Sequence, residues 1–376
     1  MNRTYFLSSE RMTVGYDGKP LIENISIGVR RGEILTLIGP NGSGKSTILK
    51  SMIKQLRLIA GTVVLDGADM ANLRERDIAK KLAIVMTERI RGELMTCRDV
   101  AATGRYPYTG RLGILTQEDR AIVDSALCTV HAEDFADRPF SAISDGQRQR
   151  ILLARAIAQQ PEIIVLDEPT SFLDVRHKLE LLDILKSMVR EQRVAVIVSL
   201  HELDLAEKIS DRVVCVAQGR IDRCGTPESI FKDDYISALY GMQNGSFNAL
   251  FGSVELSAVT GAPQVFVIGG GGSGIPVYRA LLRAGVPFAA GILPESDLDH
   301  PVAKALAAEL FAIPAFAAAS EADVSAAAAR MRAIGRVICT VPAFGETNAA
   351  NARLYAAAKD DGILVDADAF AKGVEP

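Results

Sequence analysis

Residues 39–47 read Gly-Pro-Asn-Gly-Ser-Gly-Lys-Ser-Thr and directly follow the apolar run Ile34, Leu35, Thr36, Leu37, Ile38. The chemistry available to such a stretch is phosphate binding. Gly39, Gly42 and Gly44 let backbone N–H groups approach a pyrophosphate, while Pro40, Asn41 and Ser43 complete the turn. Lys45 supplies a point charge for the outer phosphates, Ser46 offers a hard oxygen for Mg²⁺, and Thr47 continues into the helix. An ordinary surface turn is the alternative; a buried strand before the glycines and an amphipathic helix after them weigh against it.

A second acidic element follows at domain-scale distance. The run Ile163, Ile164, Val165, Leu166 delivers Asp167 and Glu168 to the carboxyl end of a strand, where open α/β sheets place ligands. Asp167 is suited to orient Mg²⁺ or its water, and Glu168 to polarise an attacking water; a solvated strand end is the bland reading. Between these elements lies Ser144-Asp145-Gly146-Gln147, ahead of an apolar helix over 151–158. Ser144 and Gln147 make a capping box, and the amides at such a helix tip also attract anions, here the γ-phosphate of a nucleotide held by another subunit. Farther on, residues 269–274 (Gly-Gly-Gly-Gly-Ser-Gly) satisfy GxGxxG through Gly269, Gly271 and Gly274, with Glu295 or Asp297 placed to meet a ribose. A ligand-free turn and a small-molecule or nucleotide regulatory site both remain open for that loop.

These residues need a scaffold of buried strands, and 376 residues suffice for two domains. Alternating apolar segments to about residue 83 predict a β-rich lobe, and a mixed stretch over 88–144 predicts a helical insert. Continuous apolar runs at 163–166 and 194–199, separated by a helical stretch over 175–190, predict parallel buried strands. Gly241, Asn244, Gly245, Asn248 and Gly252 then crowd a short region, read as a linker over 241–260 between a domain at 1–240 and one at 261–376. The alanine-rich remainder alternates strands near 265–268, 286–293, 336–341 and 362–365 with helices, the pattern of a small Rossmann-like doubly wound α/β unit.

The formal net charge of −4 gives no basic field for nucleic acid. The five cysteines, Cys97, Cys128, Cys215, Cys224 and Cys339, contain no CxxC pair, so neither a zinc knuckle nor a disulfide framework is indicated. Residues 1–10 hold no signal-peptide core, and the apolar stretch 302–319 is broken by Lys304, Glu309 and Pro314. The expectation is a soluble chain that needs a partner for any membrane role.

Taken in order, the phosphate loop, a signature like LSGGQ, the strand ending in Asp167-Glu168, then Ser171-Phe172-Leu173-Asp174 and His201 resemble the ATP-binding cassette (ABC) ATPases over 13–240. Residues 104–107 (Gly-Arg-Tyr-Pro) and the stretch Val-Ser-Leu-His-Glu-Leu-Asp-Leu-Ala at 198–206 look like the importers of iron chelates, haem and cobalamin. The resemblance implies a P-loop ATPase fold of β-rich lobe, parallel-sheet core and helical subdomain. It implies ATP and Mg²⁺ as cofactors, and a homodimer with each nucleotide held between the two copies. It also implies two transmembrane permease subunits, an extracytoplasmic binding protein acting indirectly, and a peripheral place on the cytoplasmic face of the membrane. Residue by residue, Tyr16 would stack on adenine, His201 contact the γ-phosphate, and Asp174 lie in the loop between the sites. Thr87 stands where most cassettes have a magnesium-touching glutamine, and Asp145 replaces the signature's first glycine. A soluble cassette protein and a metabolite-sensing regulator are the competing readings.

Overall fold

The computed structural model describes residues 5–86, 94–110 and 113–366. It divides into two compact units, Met1–Phe231 and Lys232–Pro376. The first begins with the β-rich lobe. β1 (Leu7–Tyr16) turns through Asp17 and Gly18, at φ 50° and 74°, into the antiparallel β2 (Lys19–Ile25). Two consecutive positive φ values match the right-handed strand twist. β3 (Gly28–Val29), β5 (Ala60–Leu65) and β6 (Ala68–Asp69) complete this sheet.

The core sheet carries the chemistry. Its strand order is β11-β10-β4-β9-β8-β7, with β4 (Ile34–Ile38), β7 (Leu82–Val85), β8 (Ile163–Asp167), β9 (Ala195–Ser199) and β10 (Arg212–Ala217) parallel and β11 (Arg220–Gly225) antiparallel at one edge. Every residue of β4, β8 and β9 is buried, as central parallel strands covered on both faces require. The crossovers include α1 (Lys45–Met52), α2 (Glu75–Lys81), α6 (Val175–Glu191) and α7 (Leu203–Ile209); α8 (Pro227–Ile230) follows the edge strand.

The expected helical insert packs α3 (Cys97–Ala102), α4 (Gln117–Thr129) and α5 (Asp145–Ala158) together. Each begins with a capping box, Thr96 with Asp99, Thr116 with Asp119 and Ser144 with Gln147, so the sequence marks all three starts. Arg105 locks the group. Its buried guanidinium donates to Asp119 Oδ1 (2.8 Å), Ala158 O (2.9 Å) and Gln160 Oε1 (3.0 Å), and lies 4.1 Å from the ring centre of Tyr108.

The second unit holds a parallel sheet of order β16-β15-β14-β17, from β14 (Val265–Ile268), β15 (Phe288–Pro294), β16 (Glu309–Ile313) and β17 (Val337–Cys339). α10 (Ile275–Arg283) and α11 (His300–Leu306) supply the core on one face; α12 (Glu321–Ile334) and α13 (Ala349–Asp360) supply it on the other. The chain order reverses between β14 and β17, a topological switch point.

Two expectations need correcting here. Residues 241–260, read as a linker, contain the hairpin β12 (Gly245–Asn248) and β13 (Ser253–Leu256). It belongs to the second unit. Phe247 is buried and its N–H donates to Ser237 Oγ (3.0 Å) of α9 (Asp233–Leu239), while Glu255 pairs with Arg279 of α10. The strand expected over 362–365 is only a single parallel bridge from Leu364 to Val337. Among the described residues no helix is long and apolar enough to cross a membrane.

Candidate nucleotide site

β4 ends and α1 begins on either side of the loop 39–44, which the glycines make sterically possible. A Cβ on Gly39 would lie 2.0 Å from Val216 O, and Gly44 caps α1 at φ 100°. Lys45, only 3% exposed, turns its ammonium back onto the loop, donating to Gly39 O (2.8 Å) and Pro40 O (3.1 Å). Burial draws its pKa below the usual lysine value, against the pull of Glu168 and Asp167. Two of its three protons are committed, leaving one for an anion. The Ser43 hydroxyl, also in the loop, is buried without a hydrogen-bond partner. A cavity of about 310 Å³ opens here, lined by residues that include Asn41, Gly42, Ser46, Thr47, Glu168 and His201. Tyr16, at the end of β1, is half exposed and its hydroxyl lies 3.1 Å from Thr47 Oγ1.

The acidic wall is organised by a residue that the sequence did not single out. Ser199, at the end of β9, donates to Asp167 Oδ1 (2.7 Å) and accepts the Glu168 N–H (2.9 Å). One hydroxyl therefore sets both carboxylate-bearing residues. Glu168 sits at φ 49°, a region uncommon outside glycine, and its Oε1 is 2.5 Å from His201 Nε2. Glu202 adds a further tie: it accepts from Thr170 Oγ1 (2.8 Å) and pairs with Lys178 of α6. Lys178 and Glu202 lie 24 residues apart, and no short motif announces the pair.

At α5, Ser144 Oγ accepts the Gln147 N–H (3.2 Å) and Gln147 Oε1 the Ser144 N–H (3.0 Å), so the capping box forms. Asp145 occupies the first helical turn, where a carboxylate suits the helix dipole, and pairs outward with Arg148 (2.8 Å). Its charge is thus partnered rather than left facing an incoming phosphate. Gly146 follows, half buried. Asp174 caps α6, accepting the His177 N–H (2.9 Å). Thr87 lies outside the described residues.

The glycine loop of the second unit differs. Its amides are already engaged: Gly271 N–H donates to Asp297 (3.0 Å), and Gly274 and Ile275 N–H donate to the fully buried Asp299 (2.8 and 3.2 Å). Gly269 O accepts from buried Asn351 Nδ2 (3.1 Å), which also clamps Ile292 through its carbonyl and amide (3.1 and 2.8 Å).

Comparison with known proteins agrees with this geometry. The family described as ABC transporter matches residues 22–171, and one described as the MJ0874 family matches 288–373. An uncharacterised ABC transporter ATP-binding protein of Methanocaldococcus jannaschii is 40% identical over 74% of this chain and 96% of its own length. A cobalamin import ATP-binding protein of Halobacterium salinarum is 33% identical over 90% of this chain and 91% of its own. Among solved structures, a putative metal-chelate type ABC transporter in an inward-facing conformation superposes with TM-score 0.55 at 25% identity, covering 63% of this chain and 89% of that one. A dimeric bacterial ABC transporter cassette superposes with TM-score 0.53 at 25% identity, covering 59% of this chain and 98% of that one. Motif order, sheet topology and two relatives matched over nearly their whole lengths converge: the chain belongs to the ATP-binding subunits of ABC transporters and is an ATPase.

Proposed function

We propose that the chain powers import of a corrinoid or metal chelate through a partner permease. The observation that favours a corrinoid is coverage. The cobalamin import relative aligns through the second unit, whereas the metal-chelate transporter structure covers 63% of the chain. In this reading two copies form a homodimer, serve two transmembrane permease subunits at the cytoplasmic face of the membrane, and depend indirectly on an extracytoplasmic binding protein.

The site residues would divide the work as follows. Tyr16 stacks on adenine. The amides of residues 39–47 and the free proton of Lys45 hold the phosphates, and the partner's Ser144, Gly146 and Gln147 close over the γ-phosphate. Glu168 accepts a proton from the attacking water, and His201, held against it, steadies the γ-phosphate. Asp174 lies at the seam, and Thr87 near the permease. Ser46 and Asp167 offer hard oxygens that fit Mg²⁺. Among the described residues no group of three His, Cys, Asp or Glu side chains could hold a metal by itself. That suits an ion that takes one or two protein oxygens and completes its shell with phosphate and water. Bound there, Mg²⁺ would neutralise developing phosphate charge.

The deciding experiment is reconstitution with the polytopic permease that co-purifies with it from membranes, followed by uptake of radiolabelled cobalamin or ferric siderophore. ATP-dependent uptake that fails with Glu168→Gln supports the reading. ATP hydrolysis without association with any polytopic permease overturns it in favour of a soluble or regulatory cassette.

A further inference from the structure

The second unit carries a cleft of about 580 Å³ at the carboxyl edge of its sheet, within the size range of small-molecule sites. It lies at the switch point between β14 and β17, the place where open parallel sheets bind ligands. The loops after all four strands contribute: Gly271 from the first, Asp297 from the second, Ala318 from the third and Thr347 from the fourth. Ile292, Ile313, Val324 and Val341 make the lining partly apolar.

The charge of the lining decides what can enter. A dinucleotide would place its pyrophosphate on the amides of the glycine loop and the tip of α10. Those of Gly271, Gly274 and Ile275 already donate to the carboxylates of Asp297 and Asp299. An added phosphate would have to displace a buried carboxylate or sit against it, at the cost of like-charge repulsion in a low-dielectric setting. Arg353, the single cation of the lining among the described residues, is exposed and has its charge offset by a bidentate pair with Glu321 (both 2.7 Å). Glu346 adds another acid. Asp297 is only half buried and retains acceptor capacity toward the cleft.

We infer that this cleft binds a phosphate-free small molecule with an apolar body and an ammonium or hydroxyl donor directed at Asp297. The glycine loop is thus a self-filled support for that site, not a nucleotide cradle. This assignment is independent of the transported cargo.

The test uses the full chain carrying Lys45→Ala, which weakens nucleotide binding at the cassette site, and saturation-transfer NMR with tyramine, cyclohexanol, NAD⁺, ADP and inorganic phosphate as probes. Tyramine or cyclohexanol binding is expected, weakened about tenfold by Asp297→Asn, the scale of a charge-assisted hydrogen bond. Val341→Trp, which fills the cleft, is expected to abolish it. Should Val341→Trp fail to fold, Asp297→Asn preserves the cleft's shape and still decides. Absence of signal from both donor probes, or binding indifferent to both substitutions, overturns the inference. So does binding of NAD⁺, ADP or phosphate that Asp297→Asn or Val341→Trp alters.

Discussion

The molecule contains two loops built on nearly the same glycine frame. Residues 39–46 read Gly-Pro-Asn-Gly-Ser-Gly-Lys-Ser and residues 269–276 read Gly-Gly-Gly-Gly-Ser-Gly-Ile-Pro. Each follows a fully buried strand and opens a helix, and each contains the same internal turn bond, Ser43 N–H to Pro40 O (3.1 Å) and Ser273 N–H to Gly270 O (3.2 Å). Their contents differ. The first offers a buried ammonium and an unpartnered hydroxyl; the second has isoleucine and proline at the positions of Lys45 and Ser46, and carboxylates already seated on its amides. Glycine spacing determines the shape of such a turn. The cation beside it, and the acids that arrive from distant strands, determine whether an anion can enter.

Substitutions can break or sharpen this contrast. The largest effect is expected for Glu168→Gln, which should retain ATP binding and lower the hydrolysis rate by about 10²–10⁴-fold, the range of general-base catalysis. Phosphate release and nucleotide binding measured side by side check it; unchanged turnover would remove Glu168 from its role. Lys45→Ala should lower turnover by about 10²–10³-fold, the scale of one preorganised electrostatic contact, and weaken nucleotide binding. The mirror experiment is Ile275→Lys, made in the Lys45→Ala chain. With Asp297 and Asp299 in place, calorimetry should find no ATP affinity restored; restored affinity would mean that the lysine alone separates the two loops.

A smaller effect is expected in the frame of the second loop. Asn351→Ala would leave the amide and carbonyl of Ile292 and the carbonyl of Gly269 unpaired, costing about 1–3 kcal/mol in the second unit, as unsatisfied buried groups do. Hydrogen exchange at β14 and β15 reads this directly. Smallest of all, Asp145→Gly should change hydrolysis by less than about threefold, because an exposed pair such as Asp145–Arg148 contributes only up to about 1 kcal/mol. A tenfold gain would show instead that Asp145 obstructs the phosphate.

Much of the first unit was legible because its chemistry is local. The phosphate loop occupies consecutive residues, Asp167 and Glu168 end a run of continuous apolar character, and the capping box of Ser144 with Gln147 announces α5. The remaining contacts depend on residues far apart in the chain. Ser199 reaches Asp167 across 32 positions, and Glu202 reaches Lys178 across 24. Spacing from the glycines alone offers Glu295 or Asp297 as a ribose ligand and does not separate them from a structural role for Asp297. Only the folded chain shows its oxygens on Gly271 N–H. The hairpin at 245–256 was hidden for another reason. Its glycines and asparagines are those of a flexible connector, while the single buried aromatic, Phe247, that fixes it gives no periodic signal.

Arg105 has a mechanical consequence. Its guanidinium joins the segment bearing the exposed Tyr106 to the start of α4 and the end of α5, through bonds of 2.8–3.0 Å with little slack. A load applied at Tyr106 would therefore not be absorbed by bending of that corner. It would travel along α5 as along a stiff rod, whose far end is Ser144.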